Sequence, residues 1–400
     1  MIGVGAVVNF GCRLNIAEGE DIERQLAAAG NERLLVINSC AVTAEAARQA
    51  RQAIRRLKRA RPQAEIVVTG CAAETERARF AAMPEVARIV GNTRKLSPAS
   101  WGGAGPLALL PERHHTRAFV VVQNGCDHSC TFCIIPRGRG PARSIPVAEV
   151  VERVRRHVDA GVGEVVLTGV DLTSYGPDLD GYPTLGTLVQ RILGDVPGLR
   201  RLRLSSIDSI EADPALIEAV TGEARVMPHL HLSLQAGDDM ILKRMKRRHS
   251  RADAVGFVER VKTARPEIAI GADIIAGFPT ETEAMFEQSL SLIAACDIVY
   301  GHIFPYSERE GTPAARMPQV PVRLRRERAA RLRAAAAERL GRHLCAQVGR
   351  SVAVLVERSG LDGHAEDFSR VRLDAPAPAG SIVAARVTGV EGACLLASAA

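Results

Sequence analysis

The sequence predicts an α/β protein in three parts: a small doubly wound N-terminal domain over residues 1–95, a partial TIM-type (β/α)6 barrel over 118–344, and a small C-terminal β-barrel over 345–400. Residues 96–117, which contain Gly102-Gly103-Ala104-Gly105-Pro106, read as the linker. Three observations lead there. Four hundred residues exceed one ordinary domain. Up to about residue 304, short apolar β-rich runs alternate with stretches of helical period, the alternation that builds parallel sheets. Beyond 345 the helical period stops, and short β runs follow one another between Gly and Pro.

In the first part, strands are expected at Ile2–Val8, Leu34–Asn38 and Glu65–Thr69, and helices at Ala17–Ala29, Thr43–Arg59 and from about Glu74. In the second, strands are expected at Ala118–Gln123, Glu164–Thr168, Arg200–Ser205, His229–Leu234, Ile268–Ile275 and Ile298–Phe304. Helices at Val147–Ala160, Leu185–Leu193, Pro214–Val220, a stretch to Thr263 and Thr282–Ala295 fall between them. Six such units make an open barrel, whose functional residues belong at the carboxyl ends of the strands. A further helix over 316–342 holds nine Arg against two Glu, which suits either an RNA backbone or an Ala-rich solvated face. The tail offers strands at Val352–Glu357, Val371–Leu373 and Ile382–Val390.

Composition narrows the function. The chain is 46% hydrophobic and 24% charged, and no apolar run reaches membrane-spanning length. Met1–Phe10 lacks a basic segment and a cleavage site, so it is not a signal peptide, and a cytoplasmic protein is expected. In that compartment nine cysteines favour metal or redox use over disulfides. A net charge of +7 admits an acidic partner such as RNA. Arg greatly outnumbers Lys and Ala is abundant, a bias of GC-rich coding, so a single Arg carries little information.

Six of the cysteines fall into two sets. Cys126, Cys130 and Cys133 stand at C-x3-C-x2-C spacing. Three thiolates with no fourth Cys nearby suit a [4Fe–4S] cluster with one iron open; a structural zinc completed by His128 is the competing reading. Cys12, Cys40 and Cys71 each follow one of the first three strands. The carboxyl ends of parallel strands share one edge, so these three converge although about thirty residues separate them in the chain. Three unrelated small core residues would be the plainer account, since free Cys is commonly buried. Cys296, Cys345 and Cys394 match no ligand pattern and read as structural.

The loop Cys126–Cys133, with Phe132 before its last Cys and Ile134-Ile135-Pro136-Arg137-Gly138-Arg139-Gly140 after it, resembles the radical S-adenosylmethionine (SAM) superfamily, and within it the methylthiotransferases. Gly11-Cys12-Arg13-Leu14-Asn15, Asn38-Ser39-Cys40-Ala41-Val42-Thr43 and Thr69-Gly70-Cys71-Ala72 resemble the three N-terminal motifs of that family. Ala72 and Glu74 stand where Tyr and Gln are usual. The resemblance implies two [4Fe–4S] clusters. One, on Cys126, Cys130 and Cys133, binds and cleaves SAM; the other, on Cys12, Cys40 and Cys71, carries or supplies the sulfur to be inserted.

It also implies SAM contacts at Phe132, at Gly169 and Asp171, at Ser205, at Gln235, and at Gly277, Phe278 and Pro279, and a substrate-facing Arg247 in the basic run 243–249. The C-terminal barrel resembles the RNA-binding TRAM domain in position, although from Arg350 onward it holds five Arg against six acidic residues. Among family members, Gly169-Val170-Asp171-Leu172-Thr173-Ser174-Tyr175-Gly176 looks most like the enzymes acting on threonylcarbamoyladenosine. The implied reaction adds a methylthio group at adenine C2 in the anticodon stem-loop of tRNA, using two SAM, a reductase as electron donor and a sulfur donor, by a monomer with no membrane partner. Isopentenyladenosine in tRNA, or an aspartate of a ribosomal protein, is the alternative acceptor. An RNA-binding Fe–S redox sensor without turnover is the alternative of another class.

Overall fold

The computed structural model describes residues 6–31, 33–103 and 116–399, so the expected first strand is described only from residue 6 onward. The chain separates into two compact units. The first comprises 1–114 with 124–143 and 307–312; the second comprises 115–123, 144–306 and 313–400. The C-x3-C-x2-C loop therefore packs with the N-terminal residues.

The first unit is a parallel sheet of four strands in sequential order: Val7–Asn9, Leu34–Ser39, Glu65–Gly70 and Val86–Ile89. Its second strand is buried along its whole length, so its two faces carry different helices. Leu34, Val36 and Val67 pack with Ile22 and Leu26 of the helix Arg13–Ala28. Leu35, Ile37, Ile66 and Val68 pack with Ala47, Ala50, Ile54 and Leu57 of the helix Ala44–Ala60. That second helix starts where expected because Thr43 caps it, its hydroxyl accepting from the Ala46 amide. The third begins three residues earlier than the polar Glu74 suggests, at Cys71 itself.

The expected linker is ordered at its start. Pro98–Trp101 forms a 3-10 turn whose Trp101 is fully buried against Ile22 and Leu26, its indole N–H donating to the Lys95 carbonyl at 2.6 Å. The Gly-rich run beside Trp101 masks this anchor in the sequence. The remainder of the linker, 104–115, lies outside the described residues.

In the second unit, six parallel strand positions follow one another as expected. Ala118–Val121, Glu164–Thr168 and Arg201–Leu204 form one sheet; Ser206–Ile207, His229–Gln235, Ala269–Ala276 and Ile298–Pro305 form the next. One apolar core joins the outward faces of these strands to the surrounding helices. The helical stretch before Thr263 is two helices, Asp239–Met245 and Arg251–Ala264, because Lys246 adopts φ +57° and ends the first. Polar residues line the amino ends of the strands: Glu164 is buried with Arg203 at 3.1 Å and Arg117 at 3.2 Å, and the Arg203 guanidinium lies 4.8 Å from the Phe368 ring.

The Arg-rich helix runs Val322–Cys345. Arg325 and Arg328 are buried; Arg328 pairs with Glu281 and Glu283, Arg331 with Glu283 and Glu287, and Arg339 with Asp297. Much of its positive charge is thus used inside the unit. The tail closes as a five-stranded barrel, adding Asp362–His364 and Cys394–Ala399 to the three expected strands. No helix among the described residues is long and apolar enough to cross a membrane.

Candidate active site

The convergence expected of Cys12, Cys40 and Cys71 is present. Gly11 adopts φ +97°, and a Cβ there would lie 2.6 Å from the Cys40 sulfur, so only glycine lets the first loop pass the second. Gly70, at φ +91°, passes as closely over the backbone of Ser39. The motif polar residues tie the loops together. Asn15 Nδ2 donates to the carbonyls of Phe10 and Ser39, Asn38 Nδ2 donates to the Asn15 carbonyl, and Ser39 Oγ donates to the Thr69 carbonyl. Cys12 is the N-cap of the 16-residue helix Arg13–Ala28. Cys40 and Cys71 are buried; burial, and then the neighbouring sulfurs of Cys12 and Cys71, push the Cys40 thiol up to about 11. Deprotonation therefore needs a positive partner.

That partner is present, although no sequence pattern announces it. Glu18, Lys95 and Arg139 form a buried ion cluster, all at most 3% exposed. Lys95 Nζ reaches Glu18 Oε2 at 2.5 Å, and Arg139 Nη1 reaches Glu18 Oε1 at 2.9 Å. Arg139 Nη2 also donates to Asn15 Oδ1 at 2.5 Å, which joins the cluster to the cysteine loops. Burial works against the Glu18 charge, but Lys95 and Arg139 outweigh it and hold the carboxyl at about 2. Burial pulls the Lys95 ammonium down, whereas burial's penalty on the Arg139 charge is outweighed by Glu18, and that guanidinium charge is felt at Cys40. Arg139 is written in the motif after the second cysteine set; Glu18 and Lys95 carry no sequence signal beyond being charges in amphipathic surroundings.

Cys126, Cys130 and Cys133 lie in one half-exposed loop of the same unit. Gly125, at φ +77°, lets the chain turn back: a Cβ there would sit 1.8 Å from the Pro141 carbonyl oxygen. The loop is closed by hydrogen bonds from Cys126 N to Gly140 O and from Cys133 N to Cys130 O, and the Ile135 amide donates to the Cys133 sulfur at 3.4 Å. Ile134 anchors the exit in the N-terminal core, and Gly138 packs directly on Cys71. Phe132 is half-buried beside Cys133. Half-exposed sulfurs on a hydrogen-bonded turn, one already accepting an amide N–H, fit a cluster held by three thiolates.

The remaining expected residues belong to the second unit. Gly169 abuts Gln123, whose Oε1 accepts from the amides of Val170 and Asp171. Asp171 accepts from Ser174 Oγ at 2.8 Å, and Ser205 donates its amide to the Leu167 carbonyl. Gln235 ends its strand at φ +69°. Gly277, at φ +72°, clears the Arg325 side chain, and its amide donates to Glu281. Phe278 is buried edge-on to Tyr306, followed by Pro279. These residues sit at the carboxyl ends of parallel strands. Arg247 is nearly buried; its guanidinium donates to Asp208 and to the Ser233 carbonyl, both at 2.7 Å.

Residues 120–293 match the model of the Radical SAM superfamily, and residues 5–91 match that of the Uncharacterized protein family UPF0004. The threonylcarbamoyladenosine tRNA methylthiotransferase MtaB of Rickettsia prowazekii is 46% identical over 96% of this chain and 95% of its own. The chain belongs to the radical SAM methylthiotransferase family. The tRNA-2-methylthio-N(6)-dimethylallyladenosine synthase of Cereibacter sphaeroides is 34% identical over 96% of this chain and 95% of its own. Among solved structures, the radical SAM methyltransferase TsrM from Kitasatospora setae is similar in fold alone. Its TM-score is 0.52 at 13% identity, covering 74% of this chain and 68% of TsrM.

Membership makes the protein a transferase that uses SAM and a [4Fe–4S] cluster. Cys296 is buried at a helix end in the barrel core, Cys345 ends the Arg-rich helix and Cys394 begins the last strand.

Proposed function

We propose that this methylthiotransferase converts N6-threonylcarbamoyladenosine beside the anticodon of tRNA to its 2-methylthio derivative. The reading uses two [4Fe–4S] clusters and two SAM, with a reductase and a sulfur donor as partners of a monomeric, cytoplasmic enzyme. The observation that carries it is the 46% identity, along nearly the whole chain, to a relative named for that substrate, against 34% to one named for dimethylallyladenosine.

Cys126, Cys130 and Cys133 would hold the cluster that supplies the electron for SAM cleavage; Cys12, Cys40 and Cys71 would hold the second. The C2–H bond of adenine has no useful acidity, so acid–base side chains alone could not make this substitution. Phe132, Gly169, Asp171, Ser205, Gln235, Gly277, Phe278 and Pro279 would bind SAM, the two glycines admitting close backbone approach. Arg247, held by Asp208, would face the substrate. A splayed, single-stranded anticodon loop exposes the base to such a site.

Nucleoside mass spectrometry of tRNA from cells with and without the gene tests this. Loss of the methylthio group from threonylcarbamoyladenosine alone is the expected result. Loss from isopentenyladenosine instead, or no change in tRNA, overturns the substrate.

A further inference from the structure

The inward faces of three adjacent strands of the second unit bring together a trio that the reaction described above does not use. His231 lies on His229–Gln235, Asp273 on Ala269–Ala276 and His302 on Ile298–Pro305. The neighbours of these residues, Leu230, Leu232, Ile270, Ala272 and Ile274, point the other way into the apolar core, so alternation along each strand puts the trio on the opposite face. Asp273 is directly paired in register with His302, and Gly271, two residues before it, with His231. Each residue offers one ligand atom, and the three atoms all lie within 4.8 Å of one another. His231 Nε2 is 3.1 Å and His302 Nδ1 3.5 Å from the same Asp273 Oδ1, and the two rings are 4.5 Å apart between centroids.

These separations decide between two accounts. Donors about 2.1 Å from a common ion stand roughly 3.0–3.4 Å apart in octahedral or tetrahedral geometry. The 3.1 and 3.5 Å edges fall at or close to that range. As a simple hydrogen-bonded trio the arrangement is looser, since the His302 contact at 3.5 Å is already long for a hydrogen bond.

The space is also prepared. A Cβ on Gly271 would lie 2.6 Å from His231 Nδ1, so glycine makes room for the ring. A path for an ion exists, since the His302 side chain is 59% exposed and that of Asp273 26%.

We propose that His231, Asp273 and His302 form a site for one divalent first-row metal ion, separate from both cysteine sets. Two imidazoles and one carboxylate suit Fe²⁺, Mn²⁺ or Zn²⁺ rather than Ca²⁺ or Mg²⁺, and three ligands on one side leave the other positions to water or to an oxygen donor.

The test uses the cluster-loaded, chelator-washed enzyme and Mn²⁺ as the probe. Oxidised [4Fe–4S] clusters are silent in electron paramagnetic resonance, so the six-line signal of free Mn²⁺ reports binding. The wild type is expected to remove one Mn²⁺ per chain from that signal. Asp273→Asn and His302→Ala are expected to weaken this binding at least about tenfold, and Zn²⁺ to compete for it. His302 is exposed enough for its removal to leave the fold intact, which a thermal melt of the loaded enzyme verifies. No binding by the wild type, or equal binding by wild type and both variants, overturns the site.

Discussion

The two cysteine sets of the first unit are built by opposite means. Cys126, Cys130 and Cys133 come from eight consecutive residues, and one turn closed by Gly125 and Gly140 suffices to present them. Cys12, Cys40 and Cys71 come from three strand ends and converge only when the sheet has formed. Their loops pass too closely for a Cβ at Gly11 or Gly70, and a buried ion cluster lies among them. The first arrangement is a local motif set on a fold; the second is part of the fold. Loss of a ligand should therefore cost chemistry in the one case, and chemistry together with structure in the other.

The largest contrast is expected from single ligand substitutions. Cys130→Ser should abolish SAM cleavage, measured as 5′-deoxyadenosine released, with an unchanged melt of the cluster-free protein. Cys40→Ser should keep SAM cleavage while abolishing methylthio transfer. Loss of both activities in both variants would erase the distinction.

Next in size is the ion cluster. Arg139→Met leaves Glu18 with Lys95 alone, and breaking such a buried set costs about 3–5 kcal/mol. Thermal or denaturant unfolding should register that loss, and iron should leave the Cys12, Cys40 and Cys71 set first. Iron lost equally from both sets would contradict the assignment of Arg139 to one of them.

A pH effect of slightly smaller size follows from Glu18. Its folded carboxyl, at about 2, lies below the ordinary 4.5, so its contribution is present above pH 4.5 and is lost as pH falls towards 2. That depression corresponds to about 3 kcal/mol. Glu18→Gln should flatten this part of the stability profile, and an unchanged slope would show that the carboxylate is not the group responsible. The smallest effect separates the loops themselves. Gly11→Ala should cost about 1–3 kcal/mol through its positive φ and its crowding of Cys40. Ser129→Ala, on the exposed second loop, should stay within about 0.5 kcal/mol. Unfolding of the cluster-free variants measures both.

The same contrast explains what could be read in advance. Strands such as Glu164–Thr168 and Leu34–Ser39 were legible because β-rich apolar runs bounded by turn residues have few other uses. The cysteine sets were legible because thiols at regular strand ends or tight spacing are rarely accidental. The strand Val86–Ile89 is short, with exposed Ala87 and Arg88, and carries no such pattern. Trp101 was hidden by its Gly-rich surroundings. Glu18, Lys95 and Arg139 meet only through the tertiary structure, from positions up to 121 residues apart, and no local rule joins three charges over that distance. His231, Asp273 and His302 were hidden likewise, because strand register rather than spacing brings them together.

Iron and sulfide analysis with Mössbauer spectroscopy, on anaerobically prepared enzyme, tests the central claim most directly: two cysteine sets, each holding its own cluster. The wild type should contain about eight irons per chain as [4Fe–4S] clusters. A Cys126/Cys130/Cys133 triple-alanine variant should keep about four, and the Cys12/Cys40/Cys71 counterpart about four. A wild type with only about four irons, or one triple variant with an undiminished complement, would contradict it.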